Sequence, residues 1–212
     1  MHVAVKICGI NDPAGLQAAV KGGARALGLV FFPPSPRAVS VEKARELTAI
    51  IPGHINKVGL FVNPNDDALM AVKNLNLNMI QLHGNETPRR VADIHALTGL
   101  PIMKALPVAG IEDFAAVPDY APLVAQFLFD AKAPAGAAIP GGNATAFDWR
   151  LLAGRSFPRP WMLAGGLTPD NVATALRISG AAMVDVSSGV EDSPGIKNPD
   201  KIAAFCAAVH GV

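Results

Sequence analysis

The sequence predicts an α/β protein built as a single-domain (β/α)8, or TIM, barrel over residues 1–212. Three observations carry this. Short runs rich in Val, Ile, Leu and Phe alternate with longer segments of helical apolar spacing along the whole chain. Eight such runs occur, and they recur at steps of roughly 20 to 35 residues, the length of a strand, a helix and two short loops. No shift of composition marks a second domain. A doubly wound open sheet is the alternative. It normally uses fewer strands at this length, and the Gly-x-Gly-x-x-Gly turn it would want after the first run is missing.

The elements follow in order. Run 3–8 ends Ile7-Cys8-Gly9, and Asp12-Pro13 then places a cap oxygen and a proline where a helix starts; Gly22-Gly23 stops it. Run 26–31 leads into Phe32-Pro33-Pro34-Ser35-Pro36-Arg37, then a helix over 41–51 that Gly53 should end. Runs 57–62 and 79–83 come next, with Thr87-Pro88 opening a helix over 89–97 and Gly99 closing it. After run 102–106, run 126–130 precedes the one long irregular stretch, 131–147, rich in Ala, Gly and Pro. A loop of that length inside a compact unit is expected to be functional or mobile. Run 161–164 leads to Thr168-Pro169 as a helix start and Gly180 as its stop, and run 183–187 to Asn198-Pro199 and the last helix.

Half of the residues are hydrophobic and 17% are charged, as in a heavily buried α/β chain. A formal net charge of +1 without a basic run gives no sign of a nucleic-acid surface. No apolar stretch approaches the ~18 residues of a membrane span. Lys6, Asn11 and Asp12 interrupt any signal-peptide core, so a cytoplasmic location is expected. Cys8 and Cys206 lie in unlike segments, which predicts free thiols rather than a disulfide. Cys-x-x-Cys and His-x-x-x-His pairings are absent, and no metal is expected.

In such a barrel the chemistry collects at the carboxyl ends of the strands. Cys8 sits at one, and a thiol with a reference pKa of ~8.5 is a candidate base or nucleophile; as a small buried apolar residue it would equally fill core. Lys6 lies on its face two residues earlier, as a source of positive charge or as the partner of a buried carboxylate. Asp130, His83 and Asp185 end or nearly end three further runs. Each has a structural reading, as a loop cap, a hydrogen-bonded core histidine or an ion-pair partner. Arg37 offers a planar fork to a carboxylate, or is a solvated surface residue. The stronger signal is a pair of loops, Gly165-Gly166 after run seven and Ser187-Ser188-Gly189 after run eight, where barrels often bind phosphate through backbone N–H groups.

Taken together and in order, Lys6-Ile7-Cys8-Gly9, Ser35-Pro36-Arg37, Gln81-Leu82-His83-Gly84, Phe129-Asp130, Phe147-Asp148-Trp149, Ala164-Gly165-Gly166-Leu167 and Asp185-Val186-Ser187-Ser188-Gly189-Val190-Glu191 resemble the phosphoribosylanthranilate isomerase family over almost the whole chain. The resemblance implies an aldose–ketose isomerase of tryptophan biosynthesis that performs an Amadori rearrangement without cofactor or metal. It implies Asp130 as general acid and Cys8, as thiolate, as general base. It also implies Arg37 on the anthranilate carboxylate, His83 and Asp185 lining the site, and Gly165, Gly166, Ser187, Ser188 and Gly189 around the 5-phosphate. An acid must hold its proton and a base must lack one, so the pair should be perturbed in opposite senses, with Lys6 lowering the Cys8 pKa.

The sequence departs from the family at Ala144, where a glycine is common in the loop before Phe147. The histidine-pathway isomerase, which runs the same rearrangement on another amine, is the nearest rival; it uses an aspartate at the end of strand one, and Cys8 argues against it. Thiamin-phosphate or indole-forming synthases would want further lysine and glutamate catalysts. A phosphate-ligand binding module would need neither Cys8 nor Asp130. The expected partner is a phosphorylated small molecule, with no nucleic acid or membrane, and the chain is expected to act as a monomer, a homodimer being the alternative.

Overall fold

Eight parallel strands close on themselves in chain order: β1 (Ala4–Cys8), β2 (Ala26–Val30), β3 (Asn56–Phe61), β4 (Met79–Leu82), β5 (Ile102–Val108), β6 (Gln126–Ala131), β7 (Trp161–Leu163) and β8 (Met183–Val186). The closing pair sets Ala4 opposite Met183 and Lys6 opposite Asp185, which rules out the open sheet. This is a computed structural model, and it describes residues 3–133, 136, 139, 141, 142 and 146–212. Ala144 lies outside the described residues, as does much of the stretch 131–147.

Strand alternation divides the side chains between two environments. Outward-facing Leu27, Leu29, Ile80, Leu82, Phe127 and Phe129 pack on helical residues such as Leu16, Leu47, Ile94 and Phe205. Inward, Met103, Ala105, Leu128, Met162 and Ala164 fill the barrel. Toward the carboxyl ends the inward positions turn polar: Lys6, Gln81, Asp130 and Asp185 are all buried. Phe129 packs outward against Phe114, Phe157 and Trp161, at ring centroid distances of 5.2, 4.6 and 5.8 Å. Its neighbour Asp130 is thereby committed to the barrel side.

The helices are α1 (Pro13–Lys21), α2 (Val41–Ile50), α3 (Asp66–Ala71), α4 (Pro88–Thr98), α5 (Val117–Tyr120), α6 (Val172–Ser179) and α7 (Pro199–His210). Asp12, Thr87 and Asn198 cap α1, α4 and α7 as expected, each accepting from the N–H three residues on. Gly99 and Gly180 end α4 and α6 in the left-handed region.

Several expectations need correction. Helix α6 starts at Val172, not after Thr168-Pro169, because Asn171 folds back: its Oδ1 accepts from Thr168 N and its Nδ2 donates to Gly166 O. Helix α2 ends before Gly53, at Ile50, since Pro52 drives Ile51 into extended geometry. Strand β5 runs through Pro107, past the point where β4 stops pairing with it, so the missing N–H is tolerated. After β6 the described connection is a single 3-10 turn, Trp149–Leu151, rather than an α-helix, and Gly154 turns the chain with φ +67° just beyond it. A hairpin, β9 (Glu191–Ser193) and β10 (Ile196–Lys197), was not foreseen at all. Cys8 and Cys206 are both free and buried. Among the described residues no helix is long and apolar enough to cross a membrane.

Candidate active site

A cleft opens at the carboxyl ends of the strands. Cys8, Arg37, Gln81, His83, Asp130 and Asp185 all line it. A second cleft adjoins it, bounded by Gly165, Gly166, Ser187 and Ser188 and sharing Asp130 and Asp185 with the first. The sequence-predicted residues therefore converge, with one exception described below.

Cys8 is delivered by β1 with Lys6 beneath it. Lys6 Nζ donates to Asp185 Oδ1 at 2.9 Å, fully buried, and the register between β1 and β8 sets the two side by side. Burial works against the lysine charge, but Asp185 and then Cys8 outweigh it and hold its pKa above the ordinary value. For Cys8 the balance goes the other way. Burial pushes the thiol up; Lys6 pulls it down, Asp185 pushes with burial, Lys197 pulls down, and the net direction is upward. The expectation that Lys6 leaves Cys8 with a depressed pKa is thus corrected: the thiol sits out of water, and Asp185 adds to that upward push against Lys6.

Asp130 Oδ1 accepts from Ala131 N at 2.9 Å, and its Oδ2 lies 3.1 Å from His83 Nε2. The other ring nitrogen, Nδ1, meets Gln81 Nε2 at 3.2 Å. Strands β4 and β6 are joined in this way across β5.

Arg37 is not a solvated surface residue, being only 5% exposed. Its Nε and Nη2 each donate to Glu191 at 2.8 Å. Glu191 also accepts from Lys197 at 2.6 Å and from Gly195 N at 3.2 Å. Burial raises the Glu191 pKa, but Arg37 and Lys197 outweigh it and hold the carboxylate below its ordinary range. Lys197 also donates to Ser187 O and Oγ, and Ser187 Oγ to the Cys8 carbonyl, so the hairpin, the β8 loop and β1 form one network.

Gly165 and Gly166 adopt φ +87° and +61°, conformations that favour glycine. A Cβ on Gly165 would also lie 2.5 Å from Ala131 N. Ser188 begins a single 3-10 turn, Ser188–Val190. Gly189 is the exception: it lies outside both clefts, and its bare Cα instead lets the β8 loop pass against the Leu167 carbonyl.

The family model for N-(5'-phosphoribosyl)anthranilate (PRA) isomerase matches residues 5–208. The chain belongs to this family. The N-(5'-phosphoribosyl)anthranilate isomerase of Paracoccus denitrificans is 57% identical over 208 residues, covering 98% of this chain and 97% of the relative. A crystal structure of phosphoribosyl anthranilate isomerase in complex with reduced 1-(o-carboxyphenylamino)-1-deoxyribulose 5-phosphate superposes with a TM-score of 0.83 at 33% identity, over 99% of this chain and 100% of that one. A structure of mutually generated monomers of the dimeric Thermotoga maritima isomerase gives 0.82 at 33% identity, with the same coverage.

Within this PRA isomerase family member, sequence reasoning missed three residues that shape the site: Gln81, Glu191 and Lys197. Gln81 and Glu191 stood inside quoted motifs without a role. Period-2 alternation from Met79 and His83 puts Gln81 inside the barrel, and that signal was available. Lys197 had none, because the hairpin that brings it back to Glu191 is visible only in three dimensions.

Proposed function

We infer that this chain isomerises N-(5'-phosphoribosyl)anthranilate to 1-(2-carboxyphenylamino)-1-deoxyribulose 5-phosphate, the Amadori step of tryptophan biosynthesis, in the cytoplasm, without metal or cofactor. The observation that carries the reading is the pair Cys8 and Asp130 at the ends of β1 and β6, lining one cleft beside a glycine- and serine-walled second cleft.

Asp130 donates a proton to the furanose ring oxygen, and the C1–O bond breaks as the anthranilate nitrogen lone pair forms the iminium. The Cys8 thiolate then takes the C2 proton, and those electrons neutralise the iminium to give the enolamine. Tautomerisation gives the ketone. Each transfer is general acid or base catalysis, worth ~10²–10⁴-fold. Lys6 supplies the positive charge that favours the thiolate most strongly. Arg37, with Nε and Nη2 committed to Glu191, turns its remaining nitrogen to the substrate carboxylate, while Gly165, Gly166, Ser187 and Ser188 hold the 5-phosphate through backbone N–H groups and the Ser188 hydroxyl. Gly189 serves that subsite by letting the two loops touch. His83 and Asp185 line the reacting sugar. All these residues come from one chain, which supports a catalytic monomer whatever its assembly.

The test is the fluorescence decay of freshly generated phosphoribosylanthranilate, comparing wild type with Cys8→Ser and Asp130→Asn. Rapid decay that falls ~10³-fold or more in both supports the pair. A folded wild type that gives no decay overturns the assignment, and activity surviving one substitution rejects that residue's role.

A further inference from the structure

Gln81 is fully buried, lines the reaction cleft, and its Oε1 has no hydrogen-bond partner among the described residues. Its Nε2 faces His83 Nδ1 at 3.2 Å, and His83 Nε2 faces Asp130 Oδ2 at 3.1 Å. We propose that Gln81 is a positioning residue that fixes His83 as its Nε2–H tautomer, so that the imidazole donates to Asp130 and cannot accept its proton. The proposal rests on the reading of Asp130 as the general acid.

An amide nitrogen only donates, so Nδ1 opposite it must be the accepting, unprotonated nitrogen. The ring proton is then on Nε2, pointing at the Asp130 carboxyl. Turning the amide over would set Oε1 against Nδ1–H and present the Nε2 lone pair to a carboxyl oxygen. It would also leave both amide N–H donors buried without partners, where the present orientation leaves one N–H and Oε1, and orphaned buried N–H groups are the rarer of the two.

The consequence concerns where the acid's proton can go. Asp130 Oδ1 already accepts from Ala131 N, and Oδ2 meets His83. If Nε2 offered a lone pair, it would compete with the furanose oxygen for the proton. As a donor it cannot, and the proton stays available to the substrate oxygen. Gln81 thus directs the proton without touching the reacting atoms.

The experiment is 15N NMR of protein labelled in its histidine rings, with His83 assigned by difference against His83→Asn, on wild type, Gln81→Leu and Gln81→Glu. Wild type should show Nδ1 unprotonated and Nε2 protonated. Gln81→Glu, whose carboxylate only accepts, should reverse the tautomer and lower kcat roughly 100-fold, with KM within about threefold. Gln81→Leu should mix the tautomers and lose activity to a smaller extent. Circular dichroism establishes folding, and if Gln81→Glu does not fold, Gln81→Leu carries the comparison. Protonation of Nδ1 in the wild type, alone or with Nε2, overturns the proposal. So does an unchanged tautomer and rate in a folded variant. Activity in Asp130→Asn would instead overturn the acid assignment, while the tautomer would still be read by NMR.

Discussion

Glu191 holds Arg37 at two points, Nε on Oε1 and Nη2 on Oε2, each at 2.8 Å, and so aims a buried guanidinium from the β2 loop with a carboxylate from the β9 hairpin. The same carboxylate neutralises Lys197 at 2.6 Å. Two cations that would repel each other are held beside the cleft by one anion.

Glu191→Gln should therefore weaken substrate binding more than turnover. The amide cannot accept from both Arg37 and Lys197 as a carboxylate does, and the fork loses its aim. We expect KM for phosphoribosylanthranilate to rise about tenfold, with kcat within about threefold, and a lowered thermal midpoint, because two buried cations lose their counter-charge. Steady-state kinetics with a melting curve check this; an unchanged KM in a folded variant would contradict it.

The Cys8 thiol is pushed up by burial, with Lys6 and Lys197 opposing and Asp185 assisting. The reactive form is the thiolate, whose fraction grows with pH. For the free enzyme, kcat/KM should then rise as pH increases through the ordinary thiol value of ~8.5 and above. Asp185→Asn removes the anion that raises Cys8 and frees Lys6 to lower it, so this limb should move to lower pH. A profile that is level across the thiol range, or a limb that moves upward in Asp185→Asn, would count against Cys8 as the base.

Gly165 has φ +87° and approaches Ala131 N closely. Gly165→Ala meets both the left-handed backbone penalty of about 1–2 kcal/mol and a backbone clash. Competitive inhibition by inorganic phosphate should weaken about tenfold or more, and KM should rise in parallel. Retained phosphate inhibition would place the phosphate elsewhere.

Lys104 faces outward from β5, yet it is buried under Tyr120, donating to Gly84 O at 2.8 Å and Ala105 O at 2.9 Å and pairing with Glu86 at 3.1 Å. Burial lowers its pKa, and Glu86 pulls back against that. Glu86→Ala strands the ammonium and should cost about 3–5 kcal/mol in chemical denaturation. Glu86→Leu combined with Lys104→Met should recover most of it. A loss under about 1 kcal/mol in Glu86→Ala would show that the pair is not structurally important.

The barrel was legible in the chain because its signals are local. Eight β-rich runs, the caps at Asp12, Thr87 and Asn198, and the glycine stops at Gly99 and Gly180 each act within a few residues. Thr168-Pro169 misled because Asn171 uses its side chain to brace the glycine turn instead of letting a helix begin there. Taken together, the motifs singled out Cys8, Arg37, His83, Asp130 and the glycine and serine loops, each of which alone had a structural reading, and their convergence follows once strands run parallel and in order.

By itself, then, the sequence determined the strand order, the end of the barrel where the polar residues gather, and the family. Tertiary structure decided how those residues are charged and aimed. The net upward push on Cys8 comes first from burial inside the closed barrel, and Asp185, 179 residues from Lys6 along the chain, adds to it against the pull of Lys6. Likewise, Arg37 meets Glu191 154 residues away, and Gln81 and His83 reach Asp130 across an intervening strand. Periodicity and capping are short-range and survive in a one-dimensional reading. Electrostatic balance and hydrogen-bond direction depend on distances of about 3 Å between segments that only the closed barrel brings together.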